Sequence, residues 1–171
     1  ERTETLDSII QIMICYEDMS NFHEALAWCN KALEKSYNYN LLGIKSKYLF
    51  KLGKDDEGIS LAEESMKIRG DICKKLNSQG ASLGEQGKLE EALKLFNLVL
   101  EKDPENYAAL ENKVKALYSL ERYLEVISVI DKFIIDVDSC NPEMLALKGI
   151  AVFELGKFLD ADLWLYKYLT V

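Results

Sequence analysis

The sequence predicts an all-α fold in which helix–turn–helix units stack into an α-solenoid, and three observations predict it. The first is a single stretch, Gly87-Lys88-Leu89-Glu90-Glu91-Ala92-Leu93-Lys94-Leu95-Phe96-Asn97-Leu98-Val99-Leu100-Glu101-Lys102-Asp103-Pro104. Its residues Leu89, Ala92, Leu93, Phe96, Val99 and Leu100 recur at three- and four-residue steps and so share one helical face. Glu90 stands four residues before Lys94, a favourable pair, and Pro104 ends the run because it cannot continue a helix. The second observation is recurrence. Short turns begin at Ser20, Gly53, Gly87, Glu121 and Gly156, at spacings of 33, 34, 34 and 35 residues. The third is that the two prolines, Pro104 and Pro142, fall between units, where the cost of roughly 3 kcal/mol for proline inside a helix is avoided.

Taken in order, each unit places an apolar residue eleven positions before its turn: Ile9, Leu42, Leu76, Leu110 and Leu145. Seven before the turn stand Met13, Ser46, Gly80, Val114 and Gly149, mostly small or slender. Five after it come Ala25, Gly58, Ala92, Val126 and Ala161, where a small residue lets two helices approach closely and Val126 is the least comfortable. Helices are expected over 5–19 and 22–36, 39–52 and 55–69, 71–86 and 89–102, 106–120 and 122–136, and 142–155 and 158–170. This gives a single array with units at about 6–38, 39–72, 73–106, 107–141 and 142–171. Gly70-Asp71 reads as a stop followed by an N-cap. Ser139-Cys140-Asn141-Pro142 reads the same way before the fifth unit, with Pro142 in the first helical turn. Gly84 stands inside a helix, where glycine costs about 1 kcal/mol relative to alanine. It marks either a close approach by a neighbour or ligand, or a tolerated defect.

These residues carry a resemblance. A helix–turn–helix unit repeating about every 34 residues is similar to the tetratricopeptide repeat, a loose pattern of large and small residues. The third copy carries it best, with Leu76, Gly80, Leu83, Gly87, Leu89, Ala92, Phe96 and Pro104, and the fifth follows with Leu145, Gly149, Gly156, Phe158 and Ala161. The first has Tyr16, Phe22, Ala25 and Ala32 but lacks the turn Gly and the closing Pro. The second departs most, with Asp55 at the aromatic position and Gly58 and Ala62 inside its second helix. The resemblance covers nearly all of the chain as five consecutive units. It implies a right-handed α-solenoid that serves as a non-catalytic scaffold for protein partners. Pentatricopeptide RNA binders have a similar period but need a cationic groove for phosphates, whereas this chain has 29 acidic and 21 basic residues. Longer helical-pair repeats need a period near 40 or more.

Composition narrows the function classes. A net charge of −8 argues against nucleic acid and against an anionic membrane surface as partners, and no apolar run approaches the roughly 18 residues of a membrane span. No signal-peptide pattern opens the chain, which begins Glu1-Arg2-Thr3 without an initiator Met and is expected to be a piece of a longer protein. Cys15, Cys29, Cys73 and Cys140 are widely spaced, with no CxxC and no histidine cluster, and read as small core residues in a reducing, cytoplasmic setting. No metal site and no cofactor is expected. The one histidine, His23, lies beside the first turn with no nucleophile or carboxylate tied to it by a motif. Gly80, Gly84 and Gly87 sit at helical spacing without the Lys-Ser/Thr of a phosphate loop. Adjacent acids such as Glu63/Glu64 and Glu90/Glu91 read as solvated faces rather than a converging pair. Nothing in the pattern indicates an enzyme.

The resemblance implies instead a concave groove lined by the first helix of each unit, which receives an extended peptide or a helix. On that side the candidates are Lys47, Phe50 and Lys51 of the second unit, Lys74 and Asn77 of the third, and Asn112, Lys115 and Tyr118 of the fourth. The lysines would favour an acidic segment, the asparagines would bond its backbone, and the rings would pack its side chains. The carboxylate clamp of the co-chaperone members is incomplete, with Ala81, Glu143 and Leu147 at positions where it needs polar or basic residues. The last helix, 158–170, is apolar almost all round, which is the signature of a buried helix. Either the natural chain continues, or this end packs on a second copy through Leu163, Trp164 and Tyr166. Three functional readings follow: a groove-binding interaction module, a self-associating structural segment, or a regulatory domain of a larger enzyme.

Overall fold

The computed structural model describes residues 5–133 and 142–170. The fold is all-α, and no strand occurs among the described residues. The helices run α1 (Leu6–Asp18), α2 (Phe22–Lys35), α3 (Tyr39–Lys51), α4 (Asp55–Glu85), α5 (Leu89–Lys102), α6 (Tyr107–Ser119), α7 (Tyr123–Phe133), α8 (Pro142–Glu154) and α9 (Phe158–Thr170). The expected end of the helix over 122–136, the cap at Ser139-Cys140-Asn141 and the thiol of Cys140 lie outside the described residues. Two compact parts divide the chain, Glu1–Ile72 and Cys73–Val171, and the division falls within α4.

All five turns are built alike. Ser20, Gly53, Gly87, Glu121 and Gly156 hold φ values of 56°, 72°, 77°, 58° and 75°. Each such residue donates its N–H to the carbonyl three residues back, and the next residue donates to the carbonyl five back. Thus Gly87 bonds Gly84 at 3.0 Å and Lys88 bonds Leu83 at 2.9 Å, while Glu121 bonds Tyr118 at 2.9 Å and Arg122 bonds Leu117 at 3.0 Å. This is a Schellman closure, which satisfies carbonyls that the ending helix leaves orphaned. Glycine adopts the left-handed conformation without a β-carbon clash, whereas Ser20 and Glu121 hold it under strain.

One expected helix boundary is absent. The break at Gly70-Asp71 does not form, and α4 continues through it for 31 residues. Counting fifteen residues back from each turn gives Thr5, Asn38, Ile72, Asn106 and Asn141. Thr5 accepts from the Ser8 N–H at 3.3 Å, Asn38 from Leu41 at 3.1 Å and Asn106 from Ala109 at 3.1 Å. Ile72 has no side-chain acceptor, so nothing there competes with the helical backbone bonds. Gly70 has no neighbour within 4 Å and is not among the positive-φ glycines, so it adds only its propensity cost.

In the N-terminal part the core gathers Ile9 and Met13 of α1, Ala25, Cys29 and Ala32 of α2, and Leu41 and Tyr48 of α3. In the C-terminal part it gathers Ala92, Leu93 and Phe96 of α5, Leu110, Val114 and Leu117 of α6, Val126 and Ile130 of α7, and Met144 and Ala151 of α8. A large side chain fully buried in this way contributes roughly 1.5–3 kcal/mol. The positions expected to be small are buried throughout: Ala25, Gly58, Ala92, Val126 and Ala161 after the turns, and Met13, Ser46, Gly80, Val114 and Gly149 before them. Two of the earlier set are glycine for a steric reason. A β-carbon on Gly80 would lie 2.6 Å from Phe96 Cε1, and one on Gly149 would lie 2.9 Å from Leu165. Ser46 solves the same contact by hydrogen bonding, its hydroxyl donating to the Gly58 carbonyl at 2.7 Å.

The expectation that the cysteines are core residues holds for Cys29 and Cys73 but not for Cys15, which is exposed. Cys15 lies on the side of α1 away from Ile9 and Met13, the residues that face α2. Burial pushes the Cys29 thiol up to about 11, with Lys45 opposing weakly, and the thiol donates to the Leu41 carbonyl at 3.5 Å.

Two pairs of substitutions separate turn strain from helix packing. Glu121→Gly should raise stability by about 1 kcal/mol and Gly87→Ala should lower it by a similar amount, read as opposite shifts of the thermal midpoint. Gly80→Ala should cost about 1–3 kcal/mol through overpacking against the buried Phe96 ring. Gly84→Ala, with nothing within 4 Å, should be neutral or stabilising by up to about 1 kcal/mol; urea unfolding of both variants checks the contrast.

Candidate functional site

The residues expected to line a groove fall in both parts of the chain, and each part arranges its own. In the N-terminal part, Lys47, Phe50 and Lys51 are exposed on α3. Lys47 is bonded to the Glu17 carboxylate on α1, which also accepts from the Tyr48 hydroxyl at 2.7 Å. The Lys47 bond, then the Tyr48 bond, hold the Glu17 carboxyl below the ordinary carboxylate range, while desolvation opposes them. The buried Tyr48 hydroxyl is pushed up by desolvation and by the same carboxylate. Phe50 rests its ring against Gly58, where a β-carbon would come within 3.0 Å.

The C-terminal part brings together more of the set. Asn112 of α6 donates its side-chain N–H to Asn77 Oδ1 of α4 at 3.1 Å. Beside this pair opens a cleft of about 360 Å³ lined by Ala81, Gly84 and Glu85 of α4, Leu89 and Phe96 of α5, and Asn112, Lys115, Ala116 and Ser119 of α6. Small residues on α4 leave the space, and α6 supplies the polar wall. Lys115 is bonded to Glu111, one turn back, and lies 3.6 Å from Glu143 of α8. The Glu111 bond and then the charges of both glutamates raise the Lys115 ammonium above its ordinary value, against desolvation. Lys74 is exposed on α4. Tyr118 is half-buried, packed edge to face on Tyr123 of α7 with ring centroids 5.6 Å apart.

Two of the candidate lysines are therefore matched by acids, Lys47 by Glu17 in the N-terminal part and Lys115 by Glu111 and Glu143 in the C-terminal part. Of these acids only Glu111 was legible as a partner, from its four-residue spacing to Lys115. Glu17 and Lys47 are thirty residues apart in sequence and meet through folding alone.

The three residues singled out on the last helix separate into two environments. Trp164 turns inward, and its ring lies over the Lys148 ammonium of α8, 3.3 Å from the centroid. Lys148 is 5% exposed and is also bonded to Asp131 of α7, a cluster that no sequence spacing announced. Leu163 and Tyr166 are exposed. Among the described residues no group of three or more His, Cys, Asp or Glu is placed to hold a metal, and no helix is long and apolar enough to cross a membrane.

No protein-family model matches the chain, and no curated protein matches its sequence. Solved structures do match over nearly its whole length. The TPR2AB domain of yeast Sti1, solved as a pHSP90 complex, is similar at a TM-score of 0.54 and 15% identity, over 98% of this chain and 78% of that one. The C-terminal part of a TPR repeat-containing protein from Cytophaga hutchinsonii is similar at a TM-score of 0.52 and 17% identity, over 94% and 63% of the two chains. Pseudomonas aeruginosa PilF is similar at 0.50 and 15% identity, over 96% and 75%. With the five Schellman-closed turns, these likenesses show that the chain has the tetratricopeptide-repeat fold.

The lowered Glu17 value carries a pH signature. Its contribution is fully present above the unfolded carboxylate value of about 4.3 and fades as pH falls through the lower folded value. Glu17→Gln should cost about 1 kcal/mol at neutral pH, and its difference from wild type should close in acid; denaturation across that pH range checks it.

Proposed function

We propose that the chain is a non-catalytic protein-interaction module whose first helices hold an extended segment or a helix of a partner protein. The observation that supports this best is the cleft on α4 and α6. It has a floor of Ala81 and Gly84 and a wall carrying the Asn77–Asn112 bond. That bond uses one N–H of Asn112 and one lone pair of Asn77, leaving further donors and acceptors for the main chain of a guest. The yeast Sti1 domain, of the same fold, was solved as a pHSP90 complex, which supports a peptide as the kind of guest. An acidic guest in this cleft would reach the exposed Lys74 and compete with Glu143 for Lys115, so charge gives selectivity rather than most of the affinity. A cytoplasmic setting suits the widely spaced cysteines.

Gly84 gives the sharpest test, since a side chain there meets nothing in the fold yet enters the cleft. Selection from a displayed library of short peptides should yield binders to the wild-type chain. Gly84→Gln should weaken them by about tenfold or more while Gly84→Ala preserves them. If Asp and Glu are enriched in the selected peptides, Lys74/Lys115→Glu should abolish the enrichment. Equal binding by wild type and Gly84→Gln, or no selected peptide, would remove the groove reading.

A further inference from the structure

The outward face of the second helix in each repeat is set by the turn. Positions three, seven and ten after the turn residue are exposed in all five repeats. In the first four they are His23, Ala27 and Asn30; Asp56, Ser60 and Glu63; Glu90, Lys94 and Asn97; and Leu124, Ser128 and Asp131. In the fifth they are Leu159, Leu163 and Tyr166, which are 84%, 65% and 68% exposed. An apolar stripe therefore stands where the other repeats are mostly polar.

This stripe is not the face along which repeats stack. In the first, third and fourth repeats the position six after the turn, held by Leu26, Leu93 and Ile127, packs on the core; Ile59 of the second and Asp162 of α9 are exposed there. The helix is held in this rotation by Trp164 on the buried Lys148 and by Leu165 against Gly149. Turning the leucines inward would break both contacts.

From this arrangement we propose that the outer face of α9 is a docking surface for a basic amphipathic helix of a partner protein. Carboxylates edge the stripe, Asp162 on one side and Asp160 on the other, both exposed. At its head a hollow of about 350 Å³ is lined by Gly156, Lys157, Phe158, Leu159 and Asp160. Leucine or phenylalanine side chains on one face of a helix fit the stripe, with Lys or Arg at its borders meeting the carboxylates. A second copy of the chain fits less well. A two-fold pair of α9 helices crossing at Leu163 sets the two Asp162 side chains beside each other, in a chain of net charge −8.

The test uses the full chain and a fluorescent, helix-forming synthetic peptide of about four turns, with a leucine stripe flanked by lysines, beside a twin flanked by glutamates. The lysine peptide should bind and the glutamate twin should not. Leu159→Ser/Leu163→Ser, which leaves the charge unchanged, should weaken binding by at least about tenfold with helix content intact. Asp160→Lys/Asp162→Lys should transfer the preference to the glutamate twin. Gly84→Gln should leave this affinity unchanged, so the surface stands or falls apart from the groove. Binding that survives loss of both leucines is general attraction to an acidic chain and overturns the proposal. A molecular mass that doubles with concentration and reverts in the double serine variant also overturns it, assigning the stripe to a second copy.

Discussion

A single residue in the left-handed conformation ends the first helix of every repeat, and the remaining geometry depends on it. Because each turn closes with the same two backbone bonds, the second helix always leaves in the same direction and at the same register. The residue seven before the turn and the residue five after it are then buried in every copy. Three repeats use glycine at the turn, and Ser20 and Glu121 hold the same conformation under strain. That a serine and a glutamate are forced into place shows that the fold constrains the turn at least as much as the turn residue does.

Given that register, each repeat has to fill one close contact between its two helices, and the sequence does so in different ways. Where the first helix presents no side chain, at Gly80 and Gly149, the second helix supplies a large one, Phe96 or Leu165. Where it presents Ser46, the hydroxyl bonds the facing carbonyl of Gly58 instead. Total volume across the contact matters more than the residue at either position, as close packing requires. This is why the repeat pattern is loose, and why the second copy keeps the same turn and the same close contact despite carrying Gly58 and Asp55.

What could be read before folding was whatever repeats along the chain. Turn positions, helix limits and the buried small residues follow from a period near 34 and from the chemistry of Gly and Pro. The uninterrupted α4 was also legible in principle, since Ile72 replaces the Thr or Asn that caps α1, α3 and α6, but Gly70-Asp71 masks it as a stop. Contacts between residues distant in sequence were not legible. Glu17 with Lys47, Glu143 with Lys115, and Lys148 between Asp131 and Trp164 depend on which helices become neighbours, and no periodicity encodes their pairing. The lysines expected to attract an acidic segment therefore include two, Lys47 and Lys115, that are already paired with glutamates. Nor does periodicity tell Trp164 from Leu163 and Tyr166 on the last helix, because its attachment to a buried lysine is a tertiary fact.

The same separation explains why two surfaces of this chain can differ in chemistry without disturbing its fold. Turn closure and the interhelical contact fix the inward positions and leave two sets open: those on the exposed side of the first helices and those facing outward from the second helices. Substitutions in the open sets cost little stability, so their character reflects what they meet rather than what they hold up. In the cleft on α4 and α6 the open positions include the small Ala81 and Gly84 and the polar Asn112, and Lys115 is balanced by Glu111 and Glu143. On α9 they become leucine and tyrosine between carboxylates, while Trp164 and Leu165 satisfy the core from the opposite side. A helix needing only burial would not also present apolar residues outward in a register that four other repeats fill with mainly polar ones. That excess is the strongest reason to assign the outer face of α9 a partner of its own.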